Sequence, residues 1–538
     1  MKRTLFIVSI LAVSLHALAI PAKREGRWCY LSATDSVMLY LVGNEFAHHT
    51  EDAFGTWYEL QDNNYYAPVE KPAFKERSKA RRKARRHAPQ QAYPLNIAPR
   101  GLVILANYKD TMFLEKDSLS SMQQMLNGED YTFEGAVGSA RQYFINQSNG
   151  KYKPQFDVVG PVNLPQEMSY YGENSRIYPY DDRRADSLIA QACRLADRDF
   201  DVDFSLYDND KDGKVDFVFV IYAGYGEADS DIAATIWPHY YTLYDDYQVK
   251  VVLDGKIINA YACCSERQYT GTSLRRRNTE PLRCGIGTFC HEFSHVLGLP
   301  DLYDTEGDEQ KTLGYWDILD AGPYNNKGRT PPAYSAYERF YLGWLTPEII
   351  EEGTHEYQLK DLQTSNTAML YSNTLEHNLI GNDPDPATFY LLENRMKHGW
   401  DAYLPGEGMI ITRIRYDYYY WLNNEVNNYT NWMMVDLLEA DGRAPKNNYG
   451  KAGDAFPAGS NEYQISGLTL TNIELNDSII SFTSNAQVAE KLQDNLSEDE
   501  QIIAIYNLLG QPQPLVGKLP EGIYIICTNQ STKKVYIK

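Results

Sequence analysis

The stretch CHEFSHVLGLPDLYD, residues 290–304, holds two histidines four apart with a glutamate directly after the first. Positions i and i+4 share a helical face, so the imidazoles of His291 and His295 can reach one ion. Glu292 stands about 100° around the helix from His291, beside the open position where a general base for water is needed. A catalytic zinc takes three protein ligands, so the two histidines leave one to be found. Thr288 is expected to cap the helix start and Gly298 to end it abruptly. Leu299 and Pro300 then reverse the chain, which carries Asp301, six residues beyond His295, back towards the histidines. Glu338 in YSAYERF is the rival third ligand, but it needs a long connection to fold back. Asp304 is the expected hydrogen-bonding partner of the ligand set. An amphipathic helix that merely carries two histidines is the bland alternative, and the later glycine and aspartate weigh against it.

A second group of candidate ligands lies upstream. DNDKDGKVD places Asp208, Asp210 and Asp212 at alternate positions before Gly213, with Asp216 after them. Alternate carboxylates on a glycine turn point oxygens at one centre, as calcium loops do. No glutamate stands at the twelfth position, so a regulatory EF-hand is excluded and a structural calcium site is expected, with an acidic surface turn as the competing reading. About twenty residues beyond the helix, GYWDILDAGPY (314–324) is expected to turn beneath the metal site. Leu319 stands there where methionine is usual, an apolar residue of similar volume. Tyr324 and His239 are candidates for steadying an oxyanion, against structural roles for both.

The rest of the chain looks fit to house such a site. Its 538 residues exceed one ordinary domain, and 43% hydrophobic with 23% charged residues is a globular composition. A formal charge of −21 excludes nucleic acid and anionic membranes as main partners and suits a soluble, cation-binding protein. Lys2 and Arg3, the apolar run to Leu15 and the small residues Ala17 and Ala19 read as an export signal cut near Ala19 or Ala22. No later segment is apolar enough to span a membrane. Seven cysteines are too few for a disulfide scaffold.

Residues 25 to about 70 alternate apolar and polar side chains, a small β module. The basic run KERSKARRKARRHAPQQAYP follows, and reads as an exposed linker where a protease removes the preceding module, with cleavage around Arg82 to Arg86. Residues 23 to about 88 are thus expected to act as an inhibitory or chaperoning pro-segment, in which Cys29 is a further candidate zinc cap. From about residue 98 the texture becomes α/β. GLVILANY and VDFVFVIYAG read as buried strands, EGAVGSARQYFINQS and RADSLIAQACRLADRD as helices, and KVVLDGKIINAYA as a hairpin turning at Asp254-Gly255. Beyond roughly 350, short strands with Gly, Asn and Pro turns predict a β-rich domain. The expected division is 1–19 signal peptide, 20–90 pro-region with basic linker, 98–348 catalytic domain, 349–486 β-rich domain and 487–538 C-terminal module.

With GSARQYF, FDVVGPV, YDNDKDGKVDFVFVIYAG, CHEFSHVLGLPDLYD, GYWDILDAG, LGWL, FYLLENR, GWDAYLPGEGMII and VDLLEADG on the page, residues 98 to about 460 resemble the immune-inhibitor-A-like family of secreted bacterial metalloproteases. The resemblance implies an α/β zincin fold of the metzincin type in which His291, His295 and Asp301 bind zinc and Glu292 is the base. Residues 22–70 resemble the pro-region of relatives from gut and oral bacteria, and the tail (YNLLGQ, LPEGIYII) resembles a type 9 secretion sorting domain. These likenesses imply a secreted or cell-surface zinc endopeptidase exported through the periplasm, with protein or peptide substrates, zinc and calcium as metals, and the export machinery as a partner. An adhesin built on a retired protease domain and a zinc hydrolase of non-peptide substrates are the competing classes.

Overall fold

The computed structural model describes residues 20–23, 25–44, 47–71, 98–175, 182–269, 282–305, 313–374, 377–429, 432–443, 449–465, 467–487, 502–507, 511–513, 522–528 and 532–537. The export signal and the basic run of the sequence reading lie outside these residues. Among the described residues no helix is long and apolar enough to cross a membrane.

The centre is a mixed sheet in the order His239–Thr242, Ala260–Gln268, Val218–Tyr225, Arg100–Asn107, Gln155–Asn163. Its last four strands run parallel and the first is an antiparallel edge. Parallel strands covered on both faces should be apolar throughout, and Val218–Tyr225 is buried over its first seven residues. Side-chain alternation sends Val103 and Leu105 to one face of the sheet and Leu102, Ile104 and Ala106 to the other. The long helix Ala185–Phe200 covers the second face with Leu188, Ile189, Cys193 and Ala196. The helix Gly287–Val296 covers the first, together with Ser118–Asn127 and Ala140–Gln147.

Phe289 and Phe293 seat the helix Gly287–Val296. Their rings lie 4.3 Å from Phe219 and 5.2 Å from Phe156 respectively. His291 and His295 follow them by two positions, about 200° around the helix, so the packing that buries the phenylalanines turns the imidazoles away from the sheet. Truncating Phe293 to alanine would cost about 3–5 kcal/mol and release this orientation.

Two further sheets form a sandwich over residues 348–486. One runs Glu348–Ile349, Met369–Tyr371, Thr388–Arg395, Gly408–Arg415, Val435–Leu437; the other Gly353–Lys360, Ile479–Ala486, Leu468–Asn476, Tyr463–Ile465. Strand Gly408–Arg415 is buried on both faces. Met409 and Ile411 enter the sandwich core with Leu470 and Phe482, while Ile410 and Ile414 join the core that contains Phe293 and Tyr334. The α/β unit and this sandwich therefore share one continuous hydrophobic interior. At the two ends stand a five-stranded meander over 27–69 and a four-stranded antiparallel sheet over 502–537.

Candidate functional site

The helix bearing His291 and His295 starts at Gly287 with Ile286 as its cap, and no side chain caps it. The expected Thr288 cap is thus corrected: Thr288 lies inside the first turn. The reason is packing, because a Cβ on Gly287 would lie 2.0 Å from the Pro323 carbonyl oxygen. That close approach brings the loop carrying Tyr324 against the helix start. Gly298 ends the helix as expected, at φ +95°.

Both imidazoles are fully buried and held through Nδ1. His291 Nδ1 lies 2.7 Å from the Ile318 carbonyl and His295 Nδ1 2.8 Å from the Leu299 carbonyl. Donation there leaves each Nε2 lone pair facing the site. Burial pushes the His295 pKa down to about 4, against the raising effect of Asp301, so its ring is neutral at neutral pH. The Ile318 carbonyl belongs to the turn expected beneath the site. Leu319 is fully buried there, its nitrogen fixed by the Asp317 carboxylate and its carbonyl accepting from Leu302 N.

His291 Nε2 and His295 Nε2 are 3.2 Å apart, and Asp301 Oδ1 lies 3.3 Å from the first and 3.4 Å from the second. Three donors at about 2.0–2.1 Å from a tetrahedral ion stand about 3.3–3.4 Å from one another, the same triangle. Asp301 Oδ1 is buried and carries no hydrogen bond. The other oxygen, Oδ2, accepts from Asn424 Nδ2 at 2.8 Å. These three residues could hold a zinc ion. Glu338, the rival, instead closes a capping box at the start of helix Ala336–Tyr341 by accepting from Ser335 N. Asn424 holds the Asp301 carboxylate in the place offered to Asp304.

Glu292 is fully buried, and its Oε1 accepts from the backbone nitrogen of Ile20 at 3.0 Å. Ile20 is fully buried in a small cluster with Ala22, Leu41, Ala228 and Trp237, against which Tyr324 packs. Trp237 Nε1 donates to the Ile20 carbonyl at 2.8 Å and Tyr324 OH to the Pro21 carbonyl at 2.7 Å. Lys23 N then donates to the Ala228 carbonyl at 2.8 Å. The Arg27 guanidinium donates to the carbonyls of Ser230 and Asp229 at 2.8 and 2.6 Å. The first residues of the N-terminal module thus lie along the site as an extended peptide. Sequence reasoning missed Ile20 and Trp237; the only available signal was the position of Ile20 directly after the small residues of the export signal.

Three other expectations sort differently. Cys29 packs with Leu39 and Tyr66 inside the N-terminal sheet, where burial pushes its thiol up to about 12, a place that fits a structural thiol. His239 is buried between the Trp237 carbonyl and Tyr261 OH, and desolvation lowers it to about 4, which fits a neutral structural role. Asp208, Asp210 and Asp216 can bring one oxygen each within 4.8 Å of one another, but Asp212 turns away to pair with Lys214 at 3.1 Å. Asp208 Oδ2 is taken by Lys256 Nζ at 2.7 Å, while its buried Oδ1 carries no hydrogen bond.

Residues 102–345 match the family described as immune inhibitor A peptidase M6, catalytic domain. The pre-pro-metalloprotease PrtV of Vibrio cholerae serotype O1 is 26% identical over 260 residues, which cover 44% of this chain and 26% of that protein. Immune inhibitor A of Bacillus thuringiensis subsp. alesti is 26% identical over 297 residues, 47% of this chain and 41% of the relative. The chain thus spans well under half the length of these curated relatives.

Proposed function

We propose that the chain is a secreted zinc endopeptidase of the metzincin type, built in latent form. The observation that carries this reading is the triangle of His291 Nε2, His295 Nε2 and Asp301 Oδ1, with edges of 3.2–3.4 Å. A bound Zn²⁺ would lower the pKa of a coordinated water and polarise a scissile carbonyl. Glu292 takes the proton from the attacking water and passes it to the leaving amine, within reach because it follows His291 on the same buried turn. Tyr324, which already donates to a peptide carbonyl, orients the backbone of the substrate. The likeness of residues 102–345 to metalloprotease catalytic domains supports protein or peptide substrates.

Latency follows from Ile20. If export ends with a cut after Ala19, the Ile20 nitrogen becomes an α-ammonium paired with the Glu292 carboxylate, and the base is silenced. Removal of the module over 20–90 would free the cleft. The name of the Vibrio relative, a pre-pro-metalloprotease, suits this reading. Calcium at Asp208, Asp210 and Asp216 is the accessory metal of the proposal, favoured by the orphaned Asp208 Oδ1. The terminal sheet is assigned to export through the periplasm, by the type 9 route, to the medium or cell surface.

Casein hydrolysis by protein freed of residues 20–90, with and without a zinc chelator, tests the reading. Chelator-sensitive cleavage is expected. No cleavage in either arm would leave the adhesin alternative, and cleavage of esters but not casein the non-peptide hydrolase. Asp301→Ala should lose zinc and activity together.

A further inference from the structure

The two oxygens of Asp301 have different surroundings. Oδ1 faces the two imidazoles, and Oδ2 accepts from Asn424 Nδ2 at 2.8 Å. The same amide also takes the main chain: Asp301 N donates to Asn424 Oδ1 at 2.8 Å. One planar group thus clasps residue 301 at both backbone and carboxylate, which leaves the carboxylate little freedom to rotate. Asn424 is buried, at φ +51°, a left-handed conformation that asparagine tolerates better than most residues.

Asn424 follows the short helix Tyr418–Leu422, between the sandwich strands Gly408–Arg415 and Val435–Leu437. Its neighbours extend the grip. Asn427 Nδ2 donates to the Leu302 carbonyl at 2.8 Å, and Asn428 Oδ1 accepts from Thr305 N at 2.9 Å. Thr305 Oγ1 donates to the Asn424 carbonyl at 3.0 Å. Several polar groups of the loop after Pro300 are therefore met by the segment 424–428, of which only Asn424 touches the carboxylate.

We propose that Asn424 is a positioning residue for the metal site: it turns Asp301 Oδ1 towards the two histidines, so that the sandwich region completes a zinc site otherwise drawn from the α/β unit. The proposal rests on Asp301 being a ligand. An outer hydrogen bond of this kind typically changes metal affinity by about 10- to 100-fold.

The test uses the full chain in three variants, Asn424→Gly, Asn428→Ala and Asp301→Ala, with zinc affinity measured by competition against a chromophoric chelator and melting of each metal-free protein recorded alongside. Glycine suits the positive φ, so Asn424→Gly removes the amide without straining the backbone. Asn424→Gly is expected to weaken zinc about 10- to 100-fold, whereas Asn428→Ala lowers the melting temperature and leaves zinc affinity within about twofold of wild type. Should Asn424→Gly not fold, Asn424→Asp, which tolerates the left-handed backbone and keeps an acceptor for Asp301 N but loses the donor to Oδ2, takes its place with the same expectation. If Asp301→Ala loses zinc while Asn424→Gly binds it like wild type, the positioning role is overturned and the ligand reading stands. Equal losses from Asn424→Gly and Asn428→Ala would reduce Asn424 to a loop staple. Wild-type zinc affinity in Asp301→Ala would overturn both.

Discussion

The two candidate metal sites among the described residues, one of two histidines and an aspartate and the other of three aspartates, differ also in what surrounds them. At His291, His295 and Asp301 each side chain is held by a partner on its far side, and the three remaining atoms converge at one spacing. At Asp208, Asp210 and Asp216 the carboxylates are drawn apart by local demands. Lys256 takes one oxygen of Asp208, Asp212 N takes Asp210 Oδ1, and Asn209 N takes Asp216 Oδ2. A site whose supports lie behind the ligands is preorganised; one whose supports compete for the ligand atoms must be rearranged by its ion. The first arrangement suits chemistry and the second a structural cation.

The sharpest break in that comparison should come from Glu292→Gln. Loss of the proton acceptor is expected to lower kcat by on the order of 10²–10⁴-fold while zinc content by mass spectrometry stays at wild type. Retained turnover would remove the base assignment. Latency comes next. Replacing Ile20 with proline in a chain that keeps Ala19 removes the N–H that Glu292 accepts, and the loss of one hydrogen bond to a charged group, worth about 1.5–3 kcal/mol, should raise basal casein cleavage of the uncut form about tenfold or more. An unchanged basal rate would show that the N-terminal peptide does not restrain the site.

A smaller effect is expected at the acidic loop. Calcium bound only to the folded state should add about 2.7 kcal/mol at a hundredfold excess over its Kd, read as a rise in melting temperature of zinc-loaded protein. The effect should depend on pH. Burial raises Asp216 to about 6, above its unfolded value, so the folded state favours the protonated acid. Its contribution is present at pH below the unfolded pKa and is lost as pH rises through about 6, where a cation can replace the proton. The calcium-induced rise should therefore be larger at pH 7 than at pH 5, and a rise that is the same at both would count against Asp216 as a ligand. Smallest of all should be Leu319→Met, a volume-conserving exchange under the site, expected to shift stability by less than about 1.5 kcal/mol in thermal melts.

What could be read in the sequence was what is encoded locally. The i, i+4 histidines, the glycine that ends their helix, the buried strands and the hairpin at Asp254-Gly255 each depend on residues within a few positions, and the structure has the helix at Gly287–Val296 and the hairpin pair Val251–Leu253 with Lys256–Ile258. Thr288 misled because a capping residue was expected where close packing against Pro323 sets the helix start instead. Spacing alone could not show that Asp212 pairs with Lys214 while Asp208, Asp210 and Asp216 gather. Asn424 and Ile20 were invisible for a different reason: they meet Asp301 and Glu292 across 123 and 272 residues of chain. An asparagine among asparagines looks like any turn, and an isoleucine beside a leader like any spacer.

Strand Gly408–Arg415, with one face in each half of the interior, separates two notions of a unit. The stretch that matches the family model ends at residue 345, yet the apolar surface of that stretch is closed by Ile410 and Ile414 from beyond it. A gene fragment trimmed to the matched stretch would leave part of its interior open to water, inviting aggregation when expressed alone. Whatever protein carries this segment alone must supply another lining for it.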